Sequence, residues 1–259
     1  RAPCRIEPMT LDIITDDRLD GVNHAFFGRQ GGASSGVFSG LNCGFGSSDQ
    51  HDIVAINRSR VASAMGGTAD TMVGVHQIHS ADVITITAAK PDKPKADGIV
   101  TATRGITLSV LTADCQPVLF ADMDAGVIGA AHAGWQGALT GVLGNTVDAM
   151  VGLGATRDNI VAVIGPSISQ RAYEVGPEFA ERFIDEDPLN ARYFAQGTDD
   201  RMQFDLPAFG LGRLRAAGIK DAAWTRHCNY SDPARFYSYR RSVHEKQADY
   251  GRLIAAIRL

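Results

Sequence analysis

Apolar residues along this chain fall mostly into short runs bounded by glycine, proline, aspartate and serine. Runs at 11–14, 22–27, 72–75, 82–87, 96–101, 107–112, 118–122, 127–131, 160–164, 222–226, 236–240 and 253–259 read as strands. Helical spacing is confined to a few stretches. Over 52–65, Ile53, Ile56, Val61 and Met65 give a partial stripe that Gly66 and Gly67 stop. Over 138–151, Leu139, Val142, Leu143, Val147 and Met150 share one helical face, and Gly152 and Gly154 end it. Pro177 opens a helix carrying Phe179 and Phe183, and Asp205 caps another carrying Phe209, Leu211 and Leu214. Strands that follow one another as hairpins, with helices interspersed, predict an α+β fold rather than a doubly wound parallel sheet. No repeat, linker or shift of composition divides the chain, so residues 1–259 read as a single domain.

The stretch 112–137 concentrates the chemistry. Its two runs, 118–122 and 127–131, flank turn residues at 123–126. In an antiparallel hairpin centred near residue 124, facing positions have numbers that sum to about 248. Cys115 with His132 comes within one of that sum, which places both at the same end of the hairpin. Three readings of the pair follow. It is structural, a buried thiol beside a strand-end imidazole. It is a Cys–His nucleophile. Or it is part of a metal site for a borderline-soft ion such as zinc or copper. A metal needs a third donor, and His76 or His79 of HQIHS, beside a neighbouring strand, is the natural source. A Cys/His/His set leaves one tetrahedral position open, the catalytic pattern, and lowers the pKa of a water there to about 7.

Composition narrows the classes. Hydrophobic residues are 44% and charged residues 21%, ordinary for a globular enzyme. A net charge of −4 without a basic run argues against nucleic acid as the main partner. No apolar run is long enough to span a membrane, and RAPCRIEPMT shows no apolar segment of a signal peptide. Cys4, Cys43, Cys115 and Cys228 are scattered and form no disulfide framework, which suits a cytoplasmic protein; Cys4 and Cys228 read as small buried apolar residues. The Gly- and Ser-rich segment 28–50 is too irregular for helix or strand and carries Arg29 and Asn42 among its polar groups. A Pro/Lys-rich turn occupies 90–95.

The motifs HQIHS, ADGIVT, TADCQPVLFAD and AAHAGWQG closely resemble signatures of the YfiH family, the group once called laccase-like multicopper polyphenol oxidases and later linked to purine nucleoside metabolism. The resemblance extends through RQGGASSG, GLNCG, INRSRV, IGPSISQRAYEVG and FYSYRR, and so covers nearly the whole chain. It implies an α/β sandwich related to the catalytic domain of cytotoxic necrotising factor. It implies His79, Cys115 and His132 as metal ligands, choosing His79 over His76. It implies zinc, with copper also assigned in the family, and phosphorolysis of adenosine, inosine, guanosine and methylthioadenosine with adenosine deamination beside it. The partners expected are then a purine nucleoside and phosphate.

Roles follow for the matching residues. Arg29 is a candidate anion ligand, and Asn42 a candidate for holding phosphate or a ribose hydroxyl. Asp114 and His76 are candidates for moving a proton, against readings as a turn-capping aspartate and a histidine that supports a ligand. Tyr239, Arg240 and Arg241 either border the substrate or form a solvated strand. Two departures from the family pattern, Ser80 after HQxH and the tail SVHEKQADYGR, bear on substrate contacts rather than on the ligands. The alternatives are a copper-dependent phenol oxidase and a Cys–His hydrolase of peptidoglycan precursors. A multicopper cluster needs many imidazoles, and this chain has seven histidines and no HxH pair.

Overall fold

A computed structural model describes residues 10–89 and 93–259. Cys4, the N-terminal segment and part of the 90–95 turn lie outside the described residues. Two sheets form the body. The first has the order β1 (Ile13–Ile14), β2 (Asn23–Phe27), β14 (Leu253–Arg258), β6 (Thr107–Thr112), β3 (Met72–Val73). The second has the order β13 (Asp221–Trp224), β9 (Val161–Ile164), β7 (Gln116–Asp122), β8 (Val127–Ala133), β5 (Gly98–Thr101), β4 (Val83–Thr85). Only the pairs β3–β6, β4–β5 and β9–β13 are parallel, so the sheets are mixed and largely antiparallel.

Period-two alternation sets the layers. In β7, Val118 and Phe120 face one core while Leu119 and Ala121 face another. The first core packs the second sheet on the helices α3 (Val142–Gly152) and α5 (Leu206–Ala216), through Leu143, Val147, Met150, Phe209 and Leu214. The second lies between the sheets, where Phe26, Leu108, Val110 and Ile257 meet Ile99, Leu119, Ile128 and Val163. A third packs helix α1 (His51–Ala64) on the outer face of the first sheet through Val61, Ala62, Ala25, Phe27, Ile254 and Ala256. The result is a helix–sheet–sheet–helix sandwich. β7 and β8 are buried along their whole length, as strands covered on both faces must be. Among the described residues no helix is long and apolar enough to cross a membrane.

Several expectations need correction. The buried face of α1 runs through Val54, Asn57, Arg58, Val61 and Ala62, whereas Ile56 is exposed. Asn57 is buried because its amide bonds the glycine-rich segment, donating to Ser34 Oγ and Asn42 O and accepting from Ala33 N. The helix expected over 138–151 is two, α2 (Trp135–Thr140) and α3, because Gly141 takes a φ of 110° between them. The strand expected at 236–240 is instead irregular chain leading into helix α6 (Tyr239–His244), which Ser238 caps by accepting from Arg241 N. A small sheet, β10 (Glu174–Val175), β12 (Met202–Phe204), β11 (Phe194–Gln196), lies beside helix α4 (Pro177–Glu186). Tyr173, Phe179, Phe183, Phe194 and Phe204 interlock there.

Candidate metal centre

The β7–β8 ladder fixes two of the donors. Its register pairs Pro117 with His132 and Gln116 with Ala133, one unit from the expected sum. Continued outward, it sets Cys115 opposite Gly134, diagonal to His132. A Cβ added at Gly134 would stand 2.9 Å from Cys115 Sγ, so the glycine leaves room for the thiol. His79 completes the group. Its Nε2 lies 3.9 Å from Cys115 Sγ, and its ring meets that of His132 edge-on with centroids 4.8 Å apart. The three donor atoms lie within 4.8 Å of one another, and among the described residues no other such cluster of metal-ligating side chains occurs.

His79 is not on a strand. It sits in an irregular segment after β3 with a φ of 61°, a left-handed backbone that costs a residue with a Cβ about 1–2 kcal/mol. One carboxylate holds it there. Asp97, fully buried just before β5, accepts from the backbone N–H groups of Ile78 (3.1 Å), His79 (3.0 Å) and Ser80 (2.7 Å), and from Ser80 Oγ (3.0 Å). Its Oδ1 also lies 2.8 Å from His132 Nδ1, which leaves Nε2 of that ring for an ion. Ser80, the departure from the family's glycine, thus adds a hydrogen bond to the clamp. Sequence reasoning missed Asp97. The available signal was an acidic residue in ADGIVT at the threshold of a short strand buried at every position.

Electrostatics agree with the geometry. Burial alone would push the Asp97 carboxyl up, but hydrogen bonds from His132 and from the loop amides hold it at about 2. Burial would likewise raise the Cys115 thiol. The neighbouring charge of His132 and hydrogen bonds to both imidazoles reverse this and bring it down to about 7. Burial works against the charged form of His132, and Cys115 with Asp97 outweighs it, raising the imidazole. A thiolate-prone sulfur with two imidazoles, one oriented by a carboxylate, is the donor chemistry of a zinc or copper site. The residues fit such an ion.

The centre opens into a cavity of about 610 Å³. Trp135, Tyr173, Phe179 and Tyr239 give it aromatic walls, and Glu174, Glu178, Arg201 and Arg240 give it charge. Asp114 also lines it, with a φ of 86°. Its Oδ2 accepts from Ser238 Oγ (2.9 Å) and Arg240 N (2.7 Å), while Oδ1 is buried without a partner; burial raises its pKa against these bonds.

The other candidates stand elsewhere. Arg29 faces two different hollows, and its guanidinium is spent on the carbonyls of Ser39 and Pro233 above the Tyr237 ring. Asn42 is fully buried and saturated. Its Nδ2 donates to Ser47 and Asp49, and its Oδ1 accepts from Gly44 N and Arg252 N. His76 is exposed, held by its backbone to Pro94 and Ala96, and does not line the cavity. Arg241 ties down the carbonyls of Asn229, Tyr230 and Phe236. Neither a substrate contact at Arg29 or Asn42 nor a proton transfer by His76 follows from these positions.

A mixed sheet sandwich with a Cys/His/His centre at the end of a buried hairpin defines a distinct structural class. Residues 23–259 match the family model described as multi-copper polyphenol oxidoreductase laccase. A purine nucleoside phosphorylase of Deinococcus radiodurans is 40% identical over 238 residues, 92% of this chain and 89% of that protein. The purine nucleoside phosphorylase YfiH of Escherichia coli is 35% identical over 213 residues, 82% and 86% of the two chains. Among solved structures, Neisseria meningitidis protein NMB0706 superposes with a TM-score of 0.87 at 32% identity, covering 96% of this chain and 98% of its own. The YfiH protein of Bacillus licheniformis gives the same TM-score at 27% identity, covering 98% and 97%. The chain belongs to the YfiH family.

Proposed function

We propose that this protein is a zinc-dependent purine nucleoside phosphorylase acting on adenosine, inosine, guanosine and methylthioadenosine, with adenosine deamination as a second activity. The observation that carries this reading is the triad of His79, Cys115 and His132, two of whose members, His79 and Cys115, line an aromatic-walled cavity of about 610 Å³, the size range of small-molecule sites. The names of the relatives support the substrate class. An ion held by the triad supplies Lewis acidity and a fixed positive charge.

The chain's own residues do the rest. The rings of Trp135, Tyr173, Phe179 and Tyr239 offer stacking surface to a purine. Glu174 and Glu178 offer acceptors to ribose hydroxyls. Arg240 is the anion ligand of this reading. Its guanidinium rests 5.3 Å from the Tyr173 ring centroid, donates through Nη1 to Glu174 O, and keeps further N–H groups for phosphate. Asp114, on the cavity wall with its carboxyl raised by burial, is the candidate proton donor to the leaving base.

The test is incubation of protein of measured metal content with adenosine or inosine, with and without phosphate. Free base and ribose 1-phosphate appearing only with phosphate is the expected result. No phosphate-dependent release at full metal occupancy overturns it.

One arrangement favours a second reading. Asp97, His132 and Cys115 are ordered as orienter, base and nucleophile, and the thiol is already lowered to about 7. A hydrolase of this kind works without metal through a covalent adduct at Cys115. An adduct that forms and turns over in metal-free protein selects it, and metal-dependent turnover alone removes it.

A further inference from the structure

Residues of INRSRV and of the segment after residue 92 meet at a second cavity. This cavity, of about 400 Å³, lies against α1 and shares no lining residue with the one above. Phe45, Arg58, Ser59 and Lys93 line it. We propose that this cavity binds a phosphate monoester or free phosphate, gripped by Arg58 and Lys93.

Arg58 is only 8% exposed, and its one described hydrogen bond is from Nη1 to Cys43 O at 3.2 Å. Its guanidinium carbon is 5.5 Å from the centroid of the Phe45 ring, and Lys93 Nζ is 5.0 Å from the same centroid. Two cations thus share one aromatic ring and one cavity. Among the described residues neither forms an ion pair. Asp70 also lines the cavity and is exposed.

Burying a charge without a counter-charge is costly, and the chain shows the cost. Burial lowers the pKa of Arg58; Lys93 is exposed at the cavity mouth, and partial desolvation with the nearby Arg58 lowers its pKa as well. A phosphate relieves both at once. It accepts a guanidinium fork, an ammonium and a hydroxyl, and Ser59 supplies the last. The cavity exceeds a bare phosphate in volume, so an ester with a small organic body fits it.

The experiment uses the full metal-loaded chain. Crystals soaked in tungstate, an anomalously scattering phosphate mimic, should show a peak between Arg58 and Lys93. Lys93→Glu should remove that peak while leaving phosphorolysis and every other tungstate position unchanged. Titrations with inorganic phosphate and with adenosine 5′-monophosphate should each lose one component in Lys93→Glu, weakened at least ~10-fold, or about 1.4 kcal/mol. Tighter binding of the monophosphate identifies an ester as the ligand, and tighter binding of phosphate identifies the free anion. No peak in this cavity, or an equal peak in Lys93→Glu (an adventitious ion only), overturns the proposal.

Discussion

Two regions bring ligands to one centre by opposite means. The β7–β8 hairpin carries His132 within a ladder of seven buried residue pairs, and Cys115 directly before its first pair. The segment 76–80 carries His79 with no ladder, at a backbone angle that favours glycine, pinned by the carboxylate of Asp97. Position is shared among many ladder hydrogen bonds in the first region; in the second, backbone bonds of His76 and the Gln77 amide hold the start of the segment, and the turn at His79 itself rests on one carboxylate. The hairpin should therefore survive damage to the centre, and the loop should not survive damage to its clamp.

Asp97→Ala breaks this contrast most severely. It strips three loop amides of their acceptor and His132 of its partner. We expect a loss of about 3–5 kcal/mol in stability and of about 10–100-fold in metal affinity, read by thermal melting and metal analysis. Unchanged metal content would show that the loop holds itself. Next comes Gly134→Ala. The φ of −68° accommodates alanine, so only contact matters, and the new Cβ would lie 2.9 Å from Cys115 Sγ and 3.0 Å from His79 Cδ2. A cost of about 1–3 kcal/mol with weakened metal binding is expected, and a variant that binds metal like the parent refutes the close approach.

Cys115→Ser should abolish metal binding and turnover while moving metal-free stability by less than about 1 kcal/mol, because the ladder does not depend on the thiol. A collapse of the fold would sink the claim that the hairpin is self-sufficient. The smallest effect needs no mutation and appears only in acid. Asp97 is held at about 2, below its unfolded value of about 3.9. Its contribution is complete above pH about 4 and is lost as pH falls toward about 2. In metal-free protein, amide exchange at Ile78, His79 and Ser80 should accelerate through that window before exchange in β8 does. Simultaneous acceleration would mean that the two regions are one unit.

The same contrast explains what was legible in the sequence. Spacing alone brought Cys115 to His132, because a hairpin is a local object whose register follows from its turn. Spacing had no hold on His79 against His76. What separates them is Asp97, distant in sequence, and a left-handed residue that no periodicity announces. The family resemblance made that choice, and the structure sets His79, not His76, beside Cys115 and His132. Segment 28–50 read correctly as irregular, but Arg29 and Asn42 read as ligand-facing, since a sequence does not tell whether an amide is already saturated. The cavity wall was the least legible part. β10, β11 and β12 are two or three residues long, too short for alternation to register, and the aromatic residues behind them gather through tertiary contacts.

The place of β14 has a consequence in time. Leu253–Arg258 pairs with β2 on one side and β6 on the other, although it follows both by a long stretch of chain. During synthesis β2 and β6 emerge early and have nothing to join them. The first sheet cannot close, nor the core between the sheets, until β14 arrives. Assembly thus waits on contacts of high sequence separation, which are slow to form, while unpaired edges stay open to other nascent chains. For this protein, vulnerability to aggregation persists until β14 has emerged, and losing β14 costs far more than its six residues suggest.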